Sequence, residues 1–232
     1  MNAPPPWHLT GDGFVWLFHF TRDFVEHNGG LTDWQRASLK DTLGAMMLVD
    51  YRETNVGPYR ELLFIPGRFE LGGRRRFSIS KIYVSTEASV RGGIENWGIP
   101  KELATFARDR LDDGSEVFSV MRDDRTIFSS RLAPFGPRFP ISSSLVPLTV
   151  AQERCGDLLI TRSNARGSAR LCRVRDLHVD AAYFPDVTHV GPVVVLAVSD
   201  FRMTFPAPQV VRGYFEAGRE APTGSLHQLT AE

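Results

Sequence analysis

Apolar runs, most of them of strand length, recur along the chain, and glycine, proline, asparagine or aspartate interrupt or end most of them. Residues 59–65 (Tyr-Arg-Glu-Leu-Leu-Phe-Ile) stop at Pro66-Gly67, and residues 45–51 run into the turn-forming segment 53–58. Segments of the same kind lie at 13–20, 77–87, 116–122, 126–132, 158–163, 169–180 and 191–205. Runs of this length and content suit strands. Gly72-Gly73 and Asp123-Asp124 read as hairpin tips. Helical periodicity is confined to short candidates at 21–28 and 33–40, the second with Asp33 as its cap. The pattern predicts a mainly β (α+β) domain, an antiparallel β-cone or barrel with few short helices. Residues 158–163 and 169–180 are expected to pair around Asn164–Gly167, and the proline-rich stretch 134–147 to cross irregularly or to link two halves. The expected organisation is a flexible N-terminal lead over 1–10, one domain over 11–210, and a tail or short helix over 211–232.

Charge excludes some partners. The chain of 232 residues carries 27 basic and 27 acidic side chains, so nothing favours nucleic acid or an anionic membrane. Cys155 and Cys172 lie 17 residues apart with no second pair or histidine at ligand spacing. No metal site is expected, and the two read as ordinary thiols of a reducing compartment. The apolar run 14–18 is too short for a signal core or a membrane span, and a cytoplasmic location is expected.

One residue carries chemistry. The chain has three lysines (Lys40, Lys81, Lys101) against twenty-four arginines, and Lys101 sits among Trp97, Ile99, Pro100, Leu103 and Phe106. Burial among such groups disfavours an ammonium, lowers its pKa and yields free amine near neutral pH. That is the setting in which lysine attacks a carbonyl to form a Schiff base. The alternative is a turn lysine whose head reaches water past the tryptophan.

Two segments then combine. Val56-Gly57-Pro58-Tyr59-Arg60-Glu61 closes a loop and opens a strand; about forty residues on comes Gly93-Ile94-Glu95-Asn96-Trp97-Gly98-Ile99-Pro100-Lys101. In order and spacing they resemble the acetoacetate decarboxylase superfamily, as does the C-terminal strand Val198–Pro206. The resemblance covers roughly residues 10–210. It implies a β-cone whose interior holds Lys101 as Schiff-base former, with Glu61 and Glu95 as catalytic carboxylates. Tyr59, Trp97, Ile99 and Tyr83 are the corresponding substrate-binding candidates. It further implies a cofactor-independent lyase acting on a small keto acid or related carbonyl compound, by decarboxylation or aldolase/dehydratase chemistry, and a homo-oligomer. A non-catalytic small-molecule binder on the same scaffold is the alternative.

Two positions depart from the family pattern. Glu102 stands where the decarboxylases have a second lysine, although neighbours on an extended segment point to opposite faces. The stretch Gly11–Phe14 lacks the arginine that meets a substrate carboxylate, leaving Arg52, Arg60 or Arg91 as substitutes.

Overall fold

The computed structural model describes residues 3–143 and 148–216. Strands account for 60% and helices for 11%, so the protein is mainly β with few helices, as expected. The chain opens with β1 (Trp7–His19), α1 (Arg22–Asn28) and α2 (Asp33–Ser38). It continues through β2 (Leu39–Asp41), β3 (Leu43–Glu53), β4 (Tyr59–Ile65), β5 (Arg68–Leu71), β6 (Arg74–Phe77) and β7 (Lys81–Val84). Helix α3 (Glu87–Trp97) leads to β8 (Lys101–Leu103), β9 (Thr105–Arg110), β10 (Glu116–Arg122) and β11 (Arg125–Ser142). The last strands are β12 (Leu148–Arg154), β13 (Asp157–Val179), β14 (Val194–Phe205) and β15 (Gln209–Val211).

A hydrogen-bonded path runs β2-β5-β6-β12-β13-β14-β1-β3-β4-β7-β8. Most pairs are antiparallel; β6–β12 and β7–β8 are parallel. β9, β10 and β11 form an antiparallel meander joined to β13. The sheet does not close, so the expected barrel is only loosely one. β8 and β9 are joined through Ala104, whose N–H donates to the Val84 carbonyl.

The central strands are buried on both faces, which is why they read as nearly unbroken apolar runs. In β4, Leu62 and Phe64 enter one core while Tyr59, Leu63 and Ile65 enter another. β3 repeats the division, with Met46 and Leu48 on the first side and Ala45, Val49 and Tyr51 on the second. The period-2 alternation of a strand thus sorts two apolar sets rather than apolar from polar. The first core is aromatic, with Phe18, Phe20 and Phe24 stacked in series at 4.7 and 4.8 Å. The second is the one that opens into a cavity.

Several expectations change. Residues 7–10, expected in a flexible lead, begin β1, because Trp7 and Leu9 are buried and the Trp7 indole N–H donates to the Ala3 carbonyl at 2.9 Å. Residues 211–216 are likewise docked, with Phe215 against Trp34 and Tyr214 accepting from the Gly72 N–H; the rest of the expected tail, 217–232, lies outside the described residues. Residues 158–163 and 169–180 do not pair with each other. They are two parts of β13, the first laddered to β12 and β15 and the second to β11, with the irregularity near Gly167 absorbed as a bulge against β14. The proline-rich stretch is largely strand too: β11 carries Pro134 and Pro140 in register with β13, and Pro137 in the bulge between Phe135 and Phe139, where a missing N–H costs least. Asp33 is the first residue of α2 and not its cap; Thr32 and Gln35 form the capping box. Residues 77–87 are not one strand, because Thr86 caps α3 there.

Candidate active site

Lys101 is buried and its Nζ is surrounded by oxygens. Glu61 Oε2 lies at 3.0 Å, Ser89 Oγ at 3.0 Å and the Tyr59 hydroxyl at 3.4 Å. Three oxygens match the three N–H donors of an ammonium. The Tyr59 ring lies beneath the charge, its centroid 4.9 Å from Nζ. The side chains of Lys101 and Glu61 are each only 5% exposed, so the pair is screened little by solvent. Tyr51 completes the group, donating its hydroxyl to Glu61 Oε1 at 3.3 Å.

Strand register explains why these residues meet. Tyr51 faces Tyr59 across β3–β4, and Glu61 sits two residues farther on the same face of β4. β7 is next to β4, and its Ile82 pairs with Lys101 on β8. The long lysine side chain therefore passes the β7 backbone position to reach a carboxylate two strands away.

The helix between β7 and β8 supplies the remaining acceptor. Thr86 caps α3 by accepting from the Ser89 N–H, and Ser89, Gly92, Gly93 and Trp97 form its buried face. At Gly93 a Cβ would stand 2.5 Å from Lys101 Cδ, so only glycine leaves a channel for that side chain. Gly98 ends the helix in the left-handed conformation, at φ 67°, and Ile99 N–H returns to the Gly93 carbonyl at 3.1 Å. Three residues later the chain enters β8 with Lys101 pointing inward.

Burial alone pushes the Lys101 ammonium's pKa down, as the sequence suggests, but Glu61 and Tyr59 outweigh it and the net direction is up. The expected lowering is therefore overturned: a buried carboxylate 3.0 Å away favours the charged form more than desolvation disfavours it. Burial likewise raises both phenols, Tyr59 to about 12 and Tyr51 well above its ordinary value, Glu61 adding to each. Both stay protonated hydroxyls near neutral pH.

Lys101, Glu61, Tyr59 and Tyr51 face a cavity of about 90 Å³. Tyr59, Glu61, Trp97, Ile99 and Lys101, all named from the sequence, line it. Two sequence candidates do not. Glu95 lies on the exposed side of α3, its position rotated away from the Ser89–Gly93–Trp97 face; a carboxylate six residues before Lys101 is carried outward once that segment is helical. Tyr83 points into the aromatic core, since β7 turns Ile82 and not Tyr83 toward the cavity, and its hydroxyl donates to the Tyr183 carbonyl at 2.9 Å. Trp7, Tyr51 and Ser89 are the residues that sequence reasoning missed. The i, i+4, i+8 spacing of Ser89, Gly93 and Trp97 behind Thr86 was the available signal for Ser89.

Glu102 does point away from Lys101. It bridges Lys81 and Arg122, and although burial pushes its pKa up, these two cations hold it below the usual carboxylate value. The three substitute arginines are also elsewhere: Arg52 binds Asp12 and Asp200, Arg60 pairs with Asp50, and Arg91 is exposed.

The acetoacetate decarboxylase family model matches residues 37–187, a stretch that includes Glu61, Ser89 and Lys101. The comparison with curated proteins finds no match. Among solved structures, an acetoacetate decarboxylase from Legionella pneumophila subsp. pneumophila str. Philadelphia 1 superposes with a TM-score of 0.66 at 15% identity, covering 90% of this chain and 88% of that one. The enduracididine biosynthesis enzyme MppR complexed with pyruvate gives 0.64 at 13% identity, covering 92% and 93%. An acetoacetate decarboxylase-like enzyme from Sphingomonas wittichii RW1 gives 0.66 at 9% identity, covering 90% and 94%. At these identities the structures speak for a shared fold, and the family match, spanning well over half the chain, goes further: the protein belongs to the acetoacetate decarboxylase family.

Proposed function

We propose that the protein is a cofactor-independent lyase that forms an imine between Lys101 and a small carbonyl compound. The observation that carries this reading is the buried Lys101 Nζ, 3.0 Å from Glu61 at the wall of a largely apolar cavity. At rest the pair is ammonium and carboxylate. Passing one proton from Nζ to Glu61 frees the amine lone pair without any exchange with bulk water, and desolvation by the apolar walls lowers the cost of that neutral pair. The amine then attacks the carbonyl carbon. Glu61 returns the proton to the carbinolamine oxygen, water departs, and the resulting iminium draws electrons from the adjacent carbon. Glu61, held by Tyr51, stays next to that carbon as acid or base. Membership of the family and the pyruvate complex of a protein sharing the fold support this assignment. A homo-oligomer belongs to the same reading.

The occupied donors of Lys101 favour a second reading, in which the pair is a buried salt bridge lining a binding cavity. Trapping separates the two. Borohydride added with a panel of aldehydes, ketones and keto acids is expected to leave a reduced adduct on the Lys101 peptide, seen by mass spectrometry, and none on Lys101→Met. Absence of any adduct across the panel, or full turnover by Lys101→Met, sinks the imine reading.

A further inference from the structure

The cavity's charge inventory restricts what it can hold. Among the described residues lining it, Lys101 is the sole cation, and Glu61 already balances it. The other polar donors are committed: the Trp7 indole N–H to the Ala3 carbonyl, the Trp97 indole N–H to the Pro206 carbonyl at 2.7 Å, and the Tyr51 hydroxyl to Glu61. The Tyr59 hydroxyl oxygen accepts from Lys101 Nζ, so its own O–H is a single donor, short of the pair a carboxylate takes. Arg52, Arg60 and Arg108 spend their guanidiniums on Asp12, Asp50, Asp200 and Glu116 outside it. The remaining walls are hydrocarbon and aromatic, such as Leu63, Ile82 and Val150.

A ligand carboxylate would bring a second anion into this space beside Glu61, with no second cation and no open pair of donors among the described residues to receive it. Moving the proton within the Lys101–Glu61 pair does not help, because the net charge with such a ligand remains negative. A buried charge left unpaired is strongly disfavoured. We infer that the cavity takes an uncharged aldehyde or ketone with an apolar body rather than a free keto acid, which leaves decarboxylation without its leaving group. This rests on the reading that carbonyl compounds enter the Lys101 cavity, and it narrows which of them do.

The experiment compares matched pairs that differ in charge: methyl pyruvate against pyruvate, and methyl acetoacetate against acetoacetate. Binding is followed by tryptophan fluorescence, since Trp7 and Trp97 line the cavity, and imine formation separately by borohydride trapping. The esters are expected to bind at least about tenfold more tightly than the acids, the unpaired buried charge being the difference. In Glu61→Gln, with the competing anion removed, the acids gain and the ratio narrows or reverses. Acids binding as well as esters to the wild type, or no saturable binding of either ester, overturns the inference. Ester preference without any trapped adduct would leave it standing and remove the imine reading alone.

Discussion

The two faces of β4 are built for different ends. On one, Leu62 and Phe64 pack into an aromatic core in which Phe64 meets Phe20 at 5.4 Å and Phe184 at 6.0 Å. On the other, Tyr59, Glu61 and Leu63 border empty space and hold one buried charge against another. The packed face gains from every methylene it removes from water. The cavity face forgoes some of that gain and adds an ion pair whose desolvation offsets much of its attraction. Stability and chemistry are thus divided between alternate residues of one strand, and a strand can do this because its neighbours point opposite ways.

Adjacent truncations give the sharpest contrast. Phe64→Ala is expected to lower stability by about 3–5 kcal/mol and to leave the imine-trapping rate within about twofold, its effects being independent of the opposite face. Leu63→Ala is expected to cost about 2 kcal/mol, the low end for a leucine, because its side chain already borders a void. It also alters the trapping rate. Urea unfolding with trapping on the same preparations reads both, and a Phe64→Ala protein that folds but no longer traps would break the division.

Gly93→Ala tests the helix side of the cavity. Its new methyl lies in the path of Lys101, and displacing the amine by a fraction of an ångström is expected to slow imine formation about ten- to hundredfold. Alanine's helix preference, about 1 kcal/mol over glycine, partly offsets the clash, so the melting temperature moves little. An unchanged trapping rate would show that the lysine reacts from some other position.

The smallest effect concerns pH. If the reactive amine arises by proton transfer inside the pair, its fraction is independent of pH while the pair holds one proton. Imine formation should then vary less than about threefold between about pH 7 and 9, whereas a lone lysine of pKa near 10.4 gains about tenfold per unit. Because Lys101 is raised in the folded protein, its contribution to stability is full below the ordinary lysine value and is lost as pH rises through the higher folded one. Alkaline unfolding, followed with and without Glu61→Gln, measures that contribution.

Much of the strand pattern was legible because a strand needs only local chemistry. Residues 59–65 and 116–122 emerge with the bounds read from apolar runs and turn residues, and Asp123 and Asp124 adopt the positive φ of 51° and 58° that a tight hairpin asks for. Helix α3 was less legible: its apolar content is low, and apart from Trp97 its buried face is Ser89, Gly92 and Gly93, the last leaving room for Lys101. Missing that helix misplaces Glu95, since six residues of extended chain and six of helix put a carboxylate on different sides. Tyr83 fails for a similar reason, because either face of a doubly buried strand looks equally apolar.

What the sequence determined by itself was the strand-rich fold, the lone lysine among apolar residues, and a glutamate forty positions earlier at matching spacing. Tertiary structure decided which groups touch that lysine. It brought in Ser89 and Tyr51, sent Glu102 to Lys81 and Arg122, and left Glu95 outside. It also reversed the direction of the lysine's pKa. Desolvation can be anticipated from apolar neighbours along the chain, but the opposing Coulomb attraction depends on a 3.0 Å separation between Glu61 Oε2 on β4 and Lys101 Nζ on β8, and only folding sets that distance.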